Sequence, residues 1–107
     1  GTWYHVAIVY TNNQDVDFYV NGNAEGSIQF SNTTSIAAGS PTRIGVYSGS
    51  LQNYFNGEID EVAIFDKALT ADQIRFDLYN ATTTGKTADI ANNTNLPTPV
   101  AWYRMGD

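Results

Sequence analysis

Residues 56–65 read NGEIDEVAIF, which sets three carboxylates, Glu58, Asp60 and Glu61, within four positions of an otherwise apolar run. Such a string can be a catalytic carboxylate box, a metal site or a strand in the wall of a sandwich. Read as a strand, it alternates, so Asp60 shares a face with Val62 and Ile64 while Glu61 turns the other way. That places Asp60 on the core side, where a lone carboxylate needs a partner.

Working outward, the preceding sequence reads as short strands separated by turns. WYHVAIVY (3–10) is apolar on both faces, with His5, Ala7 and Val9 on one and Tyr4, Val6, Ile8 and Tyr10 on the other. That pattern, with its aromatic and β-branched content, predicts a central strand covered on both sides. TNNQD breaks it with turn formers, and VDFYV (16–20) alternates. Asn21-Gly22 then predicts a type I′ hairpin, because both central positions of that turn take φ > 0. The return strand at 24–30 is weakened by Gly26. Residues 31–41 read as loop, and TRIGVYSG (42–49) alternates again, with Ile44 and Val46 on one face and Arg43, Gly45 and Tyr47 on the other.

After the carboxylate string, the sequence predicts one helix over 71–79. Thr70 and Gln73 form a T-x-x-Q capping box. Leu69 and Ile74 are placed for a hydrophobic staple, Asp72 sits in the first turn where the dipole favours an anion, and Ile74 with Leu78 makes the buried stripe. Residues 81–98 are poor in apolar side chains, Ile90 and Leu96 being the clear ones, and read as a polar linker. VAWYRM (100–105) then resumes a strand pattern and needs an edge to pair with.

Composition narrows the function. The chain has 107 residues, 42% hydrophobic and 13% aromatic, enough for a core. Five basic against eleven acidic residues give a net charge of −6, which argues against nucleic acid or an anionic membrane as partner. Divalent cations or neutral ligands such as sugars suit it better. Without cysteine there is no disulfide, thiolate metal site or thiol nucleophile. No run of about 18 apolar residues offers a membrane span. The chain opens on Gly1 without an initiator Met or signal peptide, a start that fits a module cut from a longer protein.

Several motifs stand together: W-x-H-V-A-I-V-Y at 3–10, F-Y-V-N-G at 18–22, R-I-G at 43–45, and F-N-G-E-I-D-E-V-A-I-F-D-K-A-L-T at 55–70 before a short helix. Over residues 3–79 the sequence resembles the C-terminal half of a laminin-G-like domain of the concanavalin A-like lectin/glucanase superfamily. The resemblance implies an all-β fold, an antiparallel β-sandwich of jelly-roll type with one short helix at 71–79. It also implies an extracellular or surface module that binds sugars or proteins. PVAWYRMGD (99–107) resembles the opening strand of such a domain placed after the closing one. The expected organisation is therefore a sandwich half at 1–80, a linker at 81–98, and a strand at 99–107 that pairs within the chain or with a neighbouring one. The bare edges of a half sandwich favour a homodimer through that C-terminal strand.

The carboxylates can now be weighed. Glucanases of the superfamily carry E-x-D-x-x-E or E-x-D-x-E on a strand, and a retaining pair sits about 5–5.5 Å apart. Glu58 and Asp60 match the first two places, but positions 62 and 63 are Val62 and Ala63. Catalysis is not expected. A calcium site at Asp60 fits hard oxygen ligands and an acidic chain, making calcium the one cofactor to consider. The wall reading is preferred: Asp60 hydrogen-bonds backbone N–H groups of a neighbouring loop, and Glu61 meets Arg43 or another cation across the sheet. His5 is the only histidine, so no histidine cluster forms, and it is expected as a packed, hydrogen-bonded core residue. Among the aromatics that could stack on sugars (Trp3, Tyr47, Tyr54 and Trp102), Tyr47 and Tyr54 are expected to be exposed. With Gln52 and Asn53 they are the candidate ligand contacts, in loops at 48–56 and 31–41. Sequons at Asn32, Asn80 and Asn92 are what Asn-rich loops give by chance. The expected function is a non-catalytic binding or adhesion module for carbohydrate or a surface protein. A structural repeat without a ligand is the alternative, and a glucanase remnant a distant third.

Overall fold

The computed structural model describes every residue except 13, 33–38, 40, 48–51, 81–87 and 106–107. Its largest sheet is an antiparallel meander of β1 (Val6–Thr11), β2 (Asp15–Val20) and β3 (Asn23–Gln29). The β2–β3 turn is the one that Asn-Gly demands, with φ of 49° at Asn21 and 75° at Gly22. β3 is bulged beside Phe18 and Tyr19, with Gly26 at the irregularity, which is where a strand glycine belongs.

Two ribbons follow. β4 (Val46–Tyr47) pairs with β5 (Gln52–Tyr54), and β6 (Val62–Ile64) pairs with β7 (Ala101–Tyr103), all antiparallel. Both β4 and β6 are shorter than alternation predicts, for the same reason. Gly45 at φ 78° and Glu61 at φ 54° lie in the left-handed region immediately before each strand, and an extended ladder cannot run through them. Alternation therefore does not carry back from Val62 to Asp60.

The helix lies where its cap predicts. The Thr70 N–H donates to Gln73 Oε1 at 2.9 Å, and the Gln73 N–H donates back to Thr70 Oγ1 at 3.2 Å. The first turn is α-type, with the Ile74 N–H on the Thr70 carbonyl. Gln73–Tyr79 then winds wider, in π geometry, closing with the Asn80 N–H on the Arg75 carbonyl five residues back. Ile74 is fully buried on its inner face.

Residues 88–98 do not behave as a linker. Gln73 Nε2 donates to the Asn95 carbonyl at 2.6 Å, and Asp77 Oδ1 accepts from both Asn93 and Asn95 side chains. Ile90 and Leu96, the two apolar residues of the stretch, are both buried. With Val9 and Ile74 they are the buried apolar side chains among the described residues. A few apolar residues suffice when each is buried. This segment then delivers β7 to β6 of the same chain, in the register Val62↔Tyr103 and Ile64↔Ala101. In the single chain, β7 thus completes a two-stranded ribbon with β6. Among the described residues no helix is long and apolar enough to cross a membrane.

Candidate functional site

The carboxylates of the opening string have three different surroundings. Glu61 is structural. Its Oε2 accepts from Trp102 Nε1 at 2.7 Å, and its Oε1 lies 3.4 Å from Arg104 Nε. The Arg104 guanidinium in turn covers the Trp102 ring at 4.8 Å. The cation that Glu61 meets is therefore Arg104, one residue beyond β7, and not Arg43. The left-handed backbone of Glu61 costs about 1–2 kcal/mol. The charge-assisted bond to Trp102 contributes about 1.5–3 kcal/mol. The longer, half-open ion pair adds less than about 1 kcal/mol.

Asp60 is exposed, not core-facing, and its Oδ1 accepts the N–H of Glu61 at 2.8 Å. The expectation of a buried carboxylate fails because the chain turns at Glu61, so side-chain parity is lost one residue before β6. The backbone N–H it holds is that of the next residue, not of a neighbouring loop as the wall reading expected. No group of three His, Cys, Asp or Glu side chains that could hold a metal occurs among the described residues.

His5 is packed but not fully satisfied. Its N–H donates to Asn21 Oδ1 at 2.9 Å, and the Asn21 N–H returns to its carbonyl at 2.8 Å, which ties the start of β1 to the hairpin turn. The imidazole lies 5.9 Å from the Tyr79 ring, and its Nδ1 is buried without a hydrogen-bond partner. Burial pushes its pKa below the ordinary 6.5. The unfolded chain therefore binds the proton more readily. The stability that His5 contributes is complete above about pH 6.5 and is lost as pH falls from there through the lowered folded-state pKa. The melting temperature of the wild type is expected to drop over that interval, whereas His5→Gln removes that step and leaves only the carboxylate-driven fall at lower pH. Parallel profiles for the two proteins would show that His5 does not titrate differently on folding.

Tyr47 and Tyr54 are exposed, as expected, but do not form one platform. The register pairs Val46 with Tyr54 and Tyr47 with Gln52, leaving Asn53, at φ 58°, as the extra residue. Directly opposed residues share a side, so Tyr47 and Gln52 face one way and Tyr54 the other. The loop contacts expected at 33–38 and 48–51 lie outside the described residues.

A different pair of rings lines one cleft. Trp3 and Phe55, 61% and 59% exposed, line a cleft of about 470 Å³ with Thr2, Asn56, Gly57 and Glu58. Gly57 makes room for it: a Cβ there would lie 2.8 Å from Phe55 Cε1, so the ring rests against bare backbone. Glu58, the carboxylate left over, thus lines the same cleft as the two rings and is not on a strand with Asp60. Trp3 stands at one end of the chain and Phe55 near its middle, so no local sequence pattern joins them.

Residues 1–75 match a laminin-G-type family model described as concanavalin A-like lectin/glucanases superfamily. The chain belongs to this superfamily. All four motifs that carried the resemblance fall inside the matched span, while β7 and the segment that delivers it lie beyond. The chain is also similar to a solved S-layer domain-containing protein (residues 221–444) from Clostridium thermocellum ATCC 27405. It is 31% identical, with a TM-score of 0.53. The similarity covers 70% of this chain and 38% of that one, so the chain spans well under half of the solved protein. No curated protein matches the chain.

Proposed function

We propose that this superfamily member is a non-catalytic carbohydrate-binding module of a surface or secreted protein. The observation that carries the reading is the Trp3–Phe55 cleft. Two exposed rings supply flat apolar faces, while Glu58, Asn56 and Thr2 supply a carboxylate, an amide and a hydroxyl. A neutral sugar presents the complementary set, an apolar ring face and a rim of hydroxyls. Tyr47 and Gln52, on one side of the β4–β5 ribbon, offer a smaller second contact of the same kind. An acidic chain favours uncharged glycans over sulfated or sialylated ones. The absence of catalysis rests on Val62 and Ala63, where a glucanase strand would bring its remaining carboxylate, and on Glu58 and Asp60 lying in a loop before β6.

Calorimetry against neutral oligosaccharides tests it. Wild type is expected to bind, and Trp3→Ala to weaken binding about tenfold or more, as loss of one stacked ring implies. Phe55→Ala should act in the same direction with the fold intact by circular dichroism. A second reading, a surface-building repeat without a ligand, draws on the similarity to an S-layer domain-containing protein. It stands if no neutral glycan binds at millimolar concentration, whereas binding that survives both aromatic truncations would place the sugar site outside the Trp3–Phe55 cleft.

A further inference from the structure

The chain contains two Asn-Gly pairs, Asn21-Gly22 and Asn56-Gly57, and the fold treats them oppositely. In such a pair the backbone nitrogen of the glycine can attack the side-chain amide before it, because glycine brings no Cβ to block the approach. Whether the reaction runs depends on freedom. The asparagine side chain must swing onto the next peptide nitrogen, and bonds that hold either group must open first.

Asn21 lacks that freedom. Its Oδ1 accepts the His5 N–H at 2.9 Å and its own N–H donates to the His5 carbonyl at 2.8 Å. Its backbone is committed to the type I′ turn, and Gly22 is buried against Tyr79 and Arg75. Asn56 is the reverse case. Asn56 and Gly57 are both exposed and lie outside any strand or helix, between β5 and β6. Among the described residues neither makes a hydrogen bond. Both line the Trp3–Phe55 cleft, so water, the second reactant, reaches them.

We propose that Asn56 is a deamidation site built into this cleft. The Gly57 nitrogen bonds to the side-chain carbonyl carbon of Asn56, and the amide nitrogen leaves as ammonia, carrying the Gly57 proton with it. The cyclic succinimide that remains is then opened by water, which returns a proton to the Gly57 nitrogen. Addition at the side-chain carbonyl gives an aspartyl product, and addition at the main-chain carbonyl gives an isoaspartyl one. The product brings one more negative charge to a cleft that already holds Glu58, and it trades an amide donor for an acceptor-only carboxylate. The isoaspartyl form also inserts one carbon into the main chain just before Gly57, against which the Phe55 ring rests. Each change makes the cleft a poorer seat for a neutral glycan, a consequence that rests on the carbohydrate reading, whereas the chemistry does not.

Incubation of the folded chain for days in mildly alkaline buffer, followed by peptide mapping, is expected to show Asn56 converting at least about tenfold faster than Asn21. In denaturing urea the two rates should converge, because unfolding frees Asn21 and gives Asn56 little that it lacks. Asn56→Gln, whose longer side chain closes its ring far more slowly, should abolish the fast step with native circular dichroism retained. A folded chain in which Asn56 stays intact, or in which Asn21 converts as fast, overturns the proposal. Against a neutral oligosaccharide that the fresh chain binds, the aged chain should bind about threefold more weakly or worse, as loss of one hydrogen-bond donor implies. Equal affinity overturns the link between the modification and the cleft. A fresh chain that binds no glycan sinks the carbohydrate reading alone, because the peptide map still decides the chemistry.

Discussion

Ile74→Ala is expected to lower stability by about 2–5 kcal/mol, the range for an aliphatic side chain cut to alanine inside a packed core. Ile74 is the one side chain among the described residues that is completely enclosed, at 0% exposure. The size of the loss depends on whether the surroundings can close over the gap. Here the helix is held at its start by the Thr70–Gln73 capping pair and along its length by Asn93 and Asn95 on Asp77, with Gln73 on the Asn95 carbonyl. A helix pinned at so many points relaxes little, which places the expectation in the upper part of the range. With a melting shift of about 4–8 °C per kcal/mol for a domain of this size, the variant should melt more than about 10 °C lower. Ile74→Val, which removes one methylene, should cost only about 0.5–1.5 kcal/mol. Equal melting temperatures for wild type and Ile74→Ala in thermal denaturation would mean that the helix does not close the core.

Local chemistry was legible in the sequence, whereas side-chain parity and long-range docking were not. The capping box at Thr70 and Gln73 and the Asn21-Gly22 turn were readable because each motif satisfies its own backbone within a few residues. The strand starts were misjudged at Gly45 and Glu61, since nothing in the type of a glutamate announces a positive φ. That one torsion reversed the reading of Asp60 from core to surface. A single extra residue at Asn53 similarly sent Tyr47 and Tyr54 to opposite sides. The stretch at 88–98 looked like a linker because composition counts apolar residues without saying where they land. Ile90 and Leu96 land in the core, and Asn93 and Asn95 find Asp77. The Trp3–Phe55 cleft joins residues half a chain apart, beyond the reach of any local pattern.

Gly22→Ala should be the most damaging alanine substitution among the described glycines, at about 2–3 kcal/mol, and it tests how helix, hairpin and His5 depend on one another. Two costs combine. At φ 75° an L side chain meets the left-handed penalty of about 1–2 kcal/mol. The new methyl would also stand 3.0 Å from Tyr79 Cδ1, 3.2 Å from Arg75 Cα and 3.3 Å from Arg75 Cγ. The tyrosine ring can swing aside, but the Arg75 Cα is backbone, so the helix itself must retreat by a few tenths of an ångström. Either movement loosens the cover that Tyr79 gives to His5, which lies against that ring. The variant should therefore show two linked effects: a lower melting temperature, and a His5 pKa that rises back toward 6.5 as its burial is relieved. Gly26→Ala is the matched control, because its Cβ would meet nothing within 4 Å and its φ is not positive, so it should change stability by less than about 0.5 kcal/mol. Should Gly22→Ala melt like Gly26→Ala, the close approach of helix to hairpin is wrong. Should it melt early while the histidine resonance titrates unchanged, the burial of His5 comes from somewhere other than Tyr79.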